Sequence, residues 1–201
     1  MALISSILPQ KRNPDRVNLY LDGEFFCGLD AFTAGKFRLK EGVMCGAEEL
    51  AQIVFEDECA SAFEKAMRQV NVRMRSEHEI RAYLKDKQYA GYVIDAAIEK
   101  LINYRYIDDA EFCRLYADVH RKRWGSVKIK YALKNLGIES ETIDEILSDM
   151  PDQVEEAFLL AEKYCRGKEF DSRKVYAHLM QKGFDSDTIK SAIERLKDEN
   201  E

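Results

Sequence analysis

Residues 129–147 read IKYALKNLGIESETIDEIL, and the spacing of apolar positions in this stretch decides the fold. With Leu133 as an anchor, Ile129 lies four residues before it, Ile138 five after, Ile143 ten after and Leu147 fourteen after. Separations of three, four and seven put side chains on one helical face, so the stretch predicts two amphipathic helices joined by a turn. Gly137 falls where a left-handed C-cap is expected, and Ser140, three residues before Ile143, is a candidate N-cap for the next helix.

The same pattern stands in residues 80–98, IRAYLKDKQYAGYVIDAAI, around Leu84, and in residues 175–193, VYAHLMQKGFDSDTIKSAI, around Leu179. It also extends backwards without a gap: Phe63, Phe112 and Phe158 precede their anchors by 21 residues, and Val70, Val119 and Cys165 by 14. Each copy therefore reads as helix–helix–helix. Ser76 and Glu79 form a capping box before one second helix, Gly183 repeats the glycine at 137, and Ser186 repeats the serine at 140. Three-helix units of this size bury little alone and gain by packing side by side. The expected fold is mainly α, with three tandem three-helix repeats (58–107, 108–150 and 151–201) in an elongated or curved array.

Residues 1–57 follow a different rhythm and predict a small β-rich cap. Arg16 to Leu21 alternates polar with apolar, Asp22-Gly23 is a hairpin signal, and Glu24 to Leu29 reads as the returning strand. Leu3 to Leu8 is a third strand, and Asp30 caps a short helix running to Phe37.

A net charge of −6 means that any affinity for nucleic acid comes from a local patch, not from the molecule as a whole. No apolar run reaches the roughly 20 residues of a membrane span, and Met1 to Gln10 has no basic segment of a signal peptide. The five cysteines are odd in number and scattered with no C-x-x-C pair, which reads as reduced thiols in a cytoplasmic protein.

No phosphate-loop, dinucleotide, zinc-protease or serine-hydrolase motif is present, and the three histidines hold different repeat positions. Asp108-Asp109 opens a helix, where carboxylates offset the backbone dipole. These observations predict no catalytic residue, no cofactor and no metal.

The cations carry the functional signal. From Val119 to Ile138 there is no acid, while Arg121, Lys122, Arg123, Lys128, Lys130 and Lys134 are all basic, with Trp124 and a flexible Gly125 among them. Such a run predicts exposed side chains on a phosphate-binding surface; the alternative is a solvated helix face with Trp124 half packed into the core. Arg73, Lys122 and Lys168 share one repeat position, and Arg81 and Lys85 match Lys130 and Lys134, so stacked repeats would line them into a stripe. The third helices of the second and third repeats are too acidic to read bases in a major groove, which leaves backbone contacts or an acidic protein partner.

Taken in order, Arg75-Ser76-Glu77-His78-Glu79-Ile80 with Leu84, Tyr106-Ile107-Asp108-Asp109 with Phe112, Trp124-Gly125 before Ile129 and Leu133, Gly137-Ile138, and Lys182-Gly183-Phe184 resemble the RecX family, regulators of the bacterial RecA recombinase. The resemblance covers nearly the whole chain. It implies a cytoplasmic, non-enzymatic monomer that binds RecA and RecA–DNA filaments, limits filament growth and recombinase and ATPase activity in DNA repair and recombination, and touches DNA weakly by itself. One departure is Gln88-Tyr89, standing where the family has Lys-Gly, so that turn is expected to be built differently. The competing reading is a nucleic-acid-binding regulator that acts through the phosphate backbone without RecA.

Overall fold

The structure is a computed structural model, and residues 1–199 are described. The chain begins with three antiparallel strands, β1 (Ala2–Gln10), β2 (Asn13–Leu21) and β3 (Glu24–Asp30), followed by helix α1 (Ala31–Lys36) and a two-residue strand β4 (Met44–Cys45). The sheet order is β3-β2-β1-β4. Asp22 and Gly23 both have positive φ, 50° and 91°, the geometry that lets a two-residue loop match the twist of its strands. Asp30 caps α1 as expected, accepting from the Phe32 N–H at 2.8 Å. Strand β4 escaped the sequence reading because two residues are too few to alternate.

The inner face of this sheet packs on the first half of helix α2 (Ala47–Val70) through Ile4, Leu19, Leu29, Cys45, Leu50 and Ile53, all buried. Asp57 ties helix to sheet: it accepts the Asp30 N–H at 2.7 Å and pairs with Arg16 at 3.4 Å. The division expected at residue 57 thus falls inside one continuous helix. Cys27, beside Asp57, is half-buried, and that burial, with the Asp57 charge, pushes its thiol up to about 11.

The remaining helices follow the three-part rhythm. They are α3 (Glu77–Asp86) and α4 (Gly91–Asn103); α5 (Asp109–His120), α6 (Ser126–Asn135) and α7 (Ser140–Ser148); and α8 (Val154–Cys165), α9 (Ser172–Lys182) and α10 (Ser186–Asp198). The end of α2 serves as the first helix of the first repeat and packs on α4. Ile80, Leu84, Ile129, Leu133, Val175 and Leu179 are all at or below 1% exposure, so the anchors chosen by spacing are the centres of the repeats. The described chain forms two compact units. One holds Met1–Val72 with Arg81–Tyr106, and the other holds Arg73–Ile80 with the residues from Ile107 onward. Within the second, Phe112, Ile129, Leu133 and Ile143 centre one core cluster, and Phe158, Val175, Leu179 and Ile189 another.

The turn after each second helix is the same in all three repeats, which corrects the expectation for Gln88. Gly137 and Gly183 sit at φ 80° and 87°, and Gln88 takes the same left-handed conformation at 64°. The closing bonds match as well: Tyr89, Ile138 and Phe184 donate to the carbonyls of Leu84, Leu133 and Leu179 at 3.3, 3.2 and 3.2 Å. The N-caps also differ from expectation. Glu139 and Asp185, not Ser140 and Ser186, hold the cap positions, and the Asp185 carboxylate accepts from Asp187 and Thr188. At Asp185 one carboxylate oxygen reaches both N–H groups, so Ser186 moves one place into its helix, whereas Glu139 caps without a side-chain bond.

Candidate binding surface

The basic turn between α5 and α6 is held from below. Gln153, at the entry to α8, donates its amide to the carbonyls of Arg121 and Trp124 at 3.1 and 3.0 Å. Gly125 then donates to the Lys182 carbonyl at 3.0 Å and Val127 to the Gly183 carbonyl at 3.1 Å, joining the start of α6 to the end of α9. An equivalent joint links the start of α3 to the end of α6, where Ser76 Oγ donates to the Leu136 carbonyl at 2.6 Å. Ser76 and Gly125 share one repeat position, and so do Leu136 and Lys182, so the repeat alignment encodes the joint itself.

Two expectations for this turn are overturned. Gly125 is buried, not a flexible loop glycine: a β-carbon there would sit 2.2 Å from the Gly183 carbonyl oxygen and the Phe184 nitrogen. Arg121 is not exposed either. Its guanidinium bonds Glu156 at 2.8 Å and the Asp152 carbonyl at 3.1 Å, leaving the side chain 17% exposed. The Pro151 carbonyl accepts a further bond at 3.3 Å, and charge-assisted hydrogen bonds of this kind are stronger than those between neutral groups. Lys128 and Lys130 are half-buried, whereas Lys122 and Arg123 are exposed.

Trp124 is half-buried against the α5–α7 core. Its ring stacks on His120 at 4.3 Å and 9°, and the Lys128 ammonium lies 4.9 Å from its centroid. Burial, helped by the Arg123 charge, lowers the His120 pKa and so disfavours the charged imidazole in the stack. Lys168 lies over Tyr164 at 4.1 Å, and Tyr164 stacks on His178.

The matched pairs divide by role. Arg81 pairs with Asp95 at 2.6 Å, and Lys130 pairs with Asp144. Both acids stand eleven residues after their anchors, so each pair clamps the second helix of its repeat to the third. Asp95 and Asp144 were missed, although the same alignment locates them. The second members, Lys85 and Lys134, lie exposed in the last turns of α3 and α6. Arg73 is held by Glu79 and the Met74 carbonyl. Of the predicted site residues, Lys85, Lys122, Arg123, Lys134 and Lys168 are exposed and have no ion-pair partner among the described residues. Arg81 and Lys85 belong to the first compact unit and the other predicted site residues to the second. Within the second unit, the structure gathers Arg121, Lys122, Arg123, Trp124 and Lys128 around one turn.

A β-rich N-terminal segment followed by three-helix repeats defines a helical-repeat protein. Comparison with known families gives three matches: the regulatory protein RecX N-terminal domain over residues 2–44, the RecX first three-helix domain over 62–101, and its second three-helix domain over 108–147. The regulatory protein RecX of Bacillus velezensis is 35% identical over 211 residues, covering 100% of this chain and 80% of its own length. That of Clostridium beijerinckii is 34% identical over 205 residues, covering 98% and 96%. A crystal structure of regulatory protein RecX superposes with a TM-score of 0.73 at 27% identity, over 96% of this chain and 100% of that one. RecX from Lactobacillus salivarius shares the fold, with a TM-score of 0.67 at 24% identity over 71% of this chain and 98% of that one. This chain belongs to the RecX family of regulatory proteins. No helix among the described residues is long and apolar enough to cross a membrane.

Proposed function

We propose that this protein is a non-enzymatic, monomeric, cytoplasmic modulator of RecA that binds RecA and RecA–DNA filaments and limits filament growth and recombinase and ATPase activity. The observation that carries the reading is kinship with RecX regulatory proteins along the whole chain, cap included. The distribution of charge supports it: the cations without ion-pair partners sit at turns and helix ends, where they reach phosphates or carboxylates without disturbing the joints. Several contacts linked on one chain raise avidity without a strong individual one, which suits a partner built of repeated subunits. The test is RecA's DNA-dependent ATP hydrolysis with this protein titrated in at physiological salt. Inhibition well below one copy per RecA subunit is expected. Rates that stay flat up to equimolar protein, with none retained on filaments, overturn the reading.

The second reading, a regulator that binds the phosphate backbone without RecA, draws on the same exposed cations. Equal affinity for naked DNA and for filaments would favour it.

A further inference from the structure

The first compact unit carries a second surface on which aromatic and basic side chains meet. Phe63, on α2, and Tyr104 and Tyr106, after α4, form a triangle of rings with centroid separations of 6.2, 6.5 and 6.1 Å. Tyr104 is 60% exposed and Tyr106 49%, although aromatic rings of this size ordinarily bury their area. Lys100 lies over Phe63, 4.4 Å from the centroid, and Arg105 projects from the turn between the two tyrosines. Neither cation has an ion-pair partner among the described residues, while Glu64, the acid next to Phe63, is paired with Arg68 at 3.1 Å.

Arg105 holds φ 58°, in the position after a helix end where glycine is the least costly residue.

We propose that Tyr104 and Tyr106, backed by Phe63 and joined by Lys100 and Arg105, form a platform for single-stranded nucleic acid, the tyrosine rings stacking on unpaired bases and the cations meeting phosphates. Every base has a π-face, so such stacking needs no particular sequence, and cations beside the rings track the backbone. The ring spacing selects the unpaired form. Successive bases in a duplex rise by about 3.4 Å and are covered on both faces, so they cannot settle on two rings 6.1 Å apart. This goes beyond the RecA reading, and the experiment contains no RecA, so either can fail alone.

The test is fluorescence anisotropy of the full chain with a labelled oligothymidylate and with an abasic strand of the same length. The intact protein is expected to bind the oligothymidylate about tenfold more tightly. Tyr104→Ala with Tyr106→Ala is expected to abolish that preference, and Tyr104→Phe with Tyr106→Phe to keep it. Arg105→Gly should weaken both strands alike and lower the slope of log affinity against log salt by about 0.7, without lowering the melting temperature. Equal binding of the two strands by the intact protein overturns the platform, as does a preference that survives the alanine pair.

Discussion

Gly125 and Gly183 meet so closely that a β-carbon on Gly183 would lie 2.3 Å from Lys128 Cβ, and one on Gly125 would lie 2.2 Å from the Gly183 carbonyl oxygen. Backbone touches backbone at this joint, and two hydrogen bonds cross it. No flexible side-chain end is available on the Gly183 side to absorb an added methyl. Gly125→Ala should therefore cost at least about 1–3 kcal/mol, the usual range for overpacking. Urea unfolding should show the loss as a lower midpoint, and an unchanged midpoint would refute the close joint.

Position 88 gives the opposite expectation. Gln88 adopts the left-handed turn with its side chain exposed, so it bears the backbone cost of that conformation without a neighbour pressing on its β-carbon. Gln88→Gly should be neutral or stabilising by up to about 1 kcal/mol. Gly137→Gln should destabilise, because a β-carbon there meets His78 Cγ at 2.2 Å. Thermal melts of the two variants should move in different directions.

The basic run should split into structural and binding members. Lys122→Glu, Arg123→Glu and Lys134→Glu together should leave stability nearly unchanged, as expected for exposed sites, yet weaken retention on filaments or DNA. Each lost phosphate contact should reduce the salt slope of DNA binding by roughly 0.7–0.9. Arg121→Gln should do the reverse, lowering the melting temperature because Glu156 and two carbonyls lose their donor. Three reversals that leave binding intact would make the run a plain solvated face.

Glu79 should link stability to acid pH. Burial by itself raises its pKa, but hydrogen bonds from Arg73, the Ser76 N–H and Arg75, with the Arg73 charge, outweigh burial and hold the carboxyl below its ordinary 4.5. A depressed folded-state pKa means that the contribution is complete above the unfolded value and is lost as pH falls through the folded one. Glu79→Gln should thus destabilise at neutral pH, on the order of 1–3 kcal/mol. The gap from the unaltered protein should close below pH 4.5. A gap independent of pH would place the effect elsewhere.

Much of this protein is determined locally and is legible in the sequence. Helices, their order and their buried faces follow from the spacing around Leu84, Leu133 and Leu179, because periodicity reports which side of an element leaves water. The hairpin at Asp22-Gly23 is equally local, since two residues with positive φ define that turn. The family resemblance rests on the same short-range fragments.

Only the tertiary structure decides which cations are available. Arg121 and Lys122 are adjacent and equally basic in sequence, yet one is locked by Glu156, 35 residues away, and the other faces solvent. Lys130 and Lys134 share a helix face, but only the first finds Asp144. Ion pairing, burial and the close approach at Gly125 depend on distances between segments far apart in the chain, which composition and periodicity do not contain. The ring triangle of Phe63, Tyr104 and Tyr106 arises the same way, since about forty residues separate the first ring from the others along the chain and folding brings their centroids within 6.5 Å.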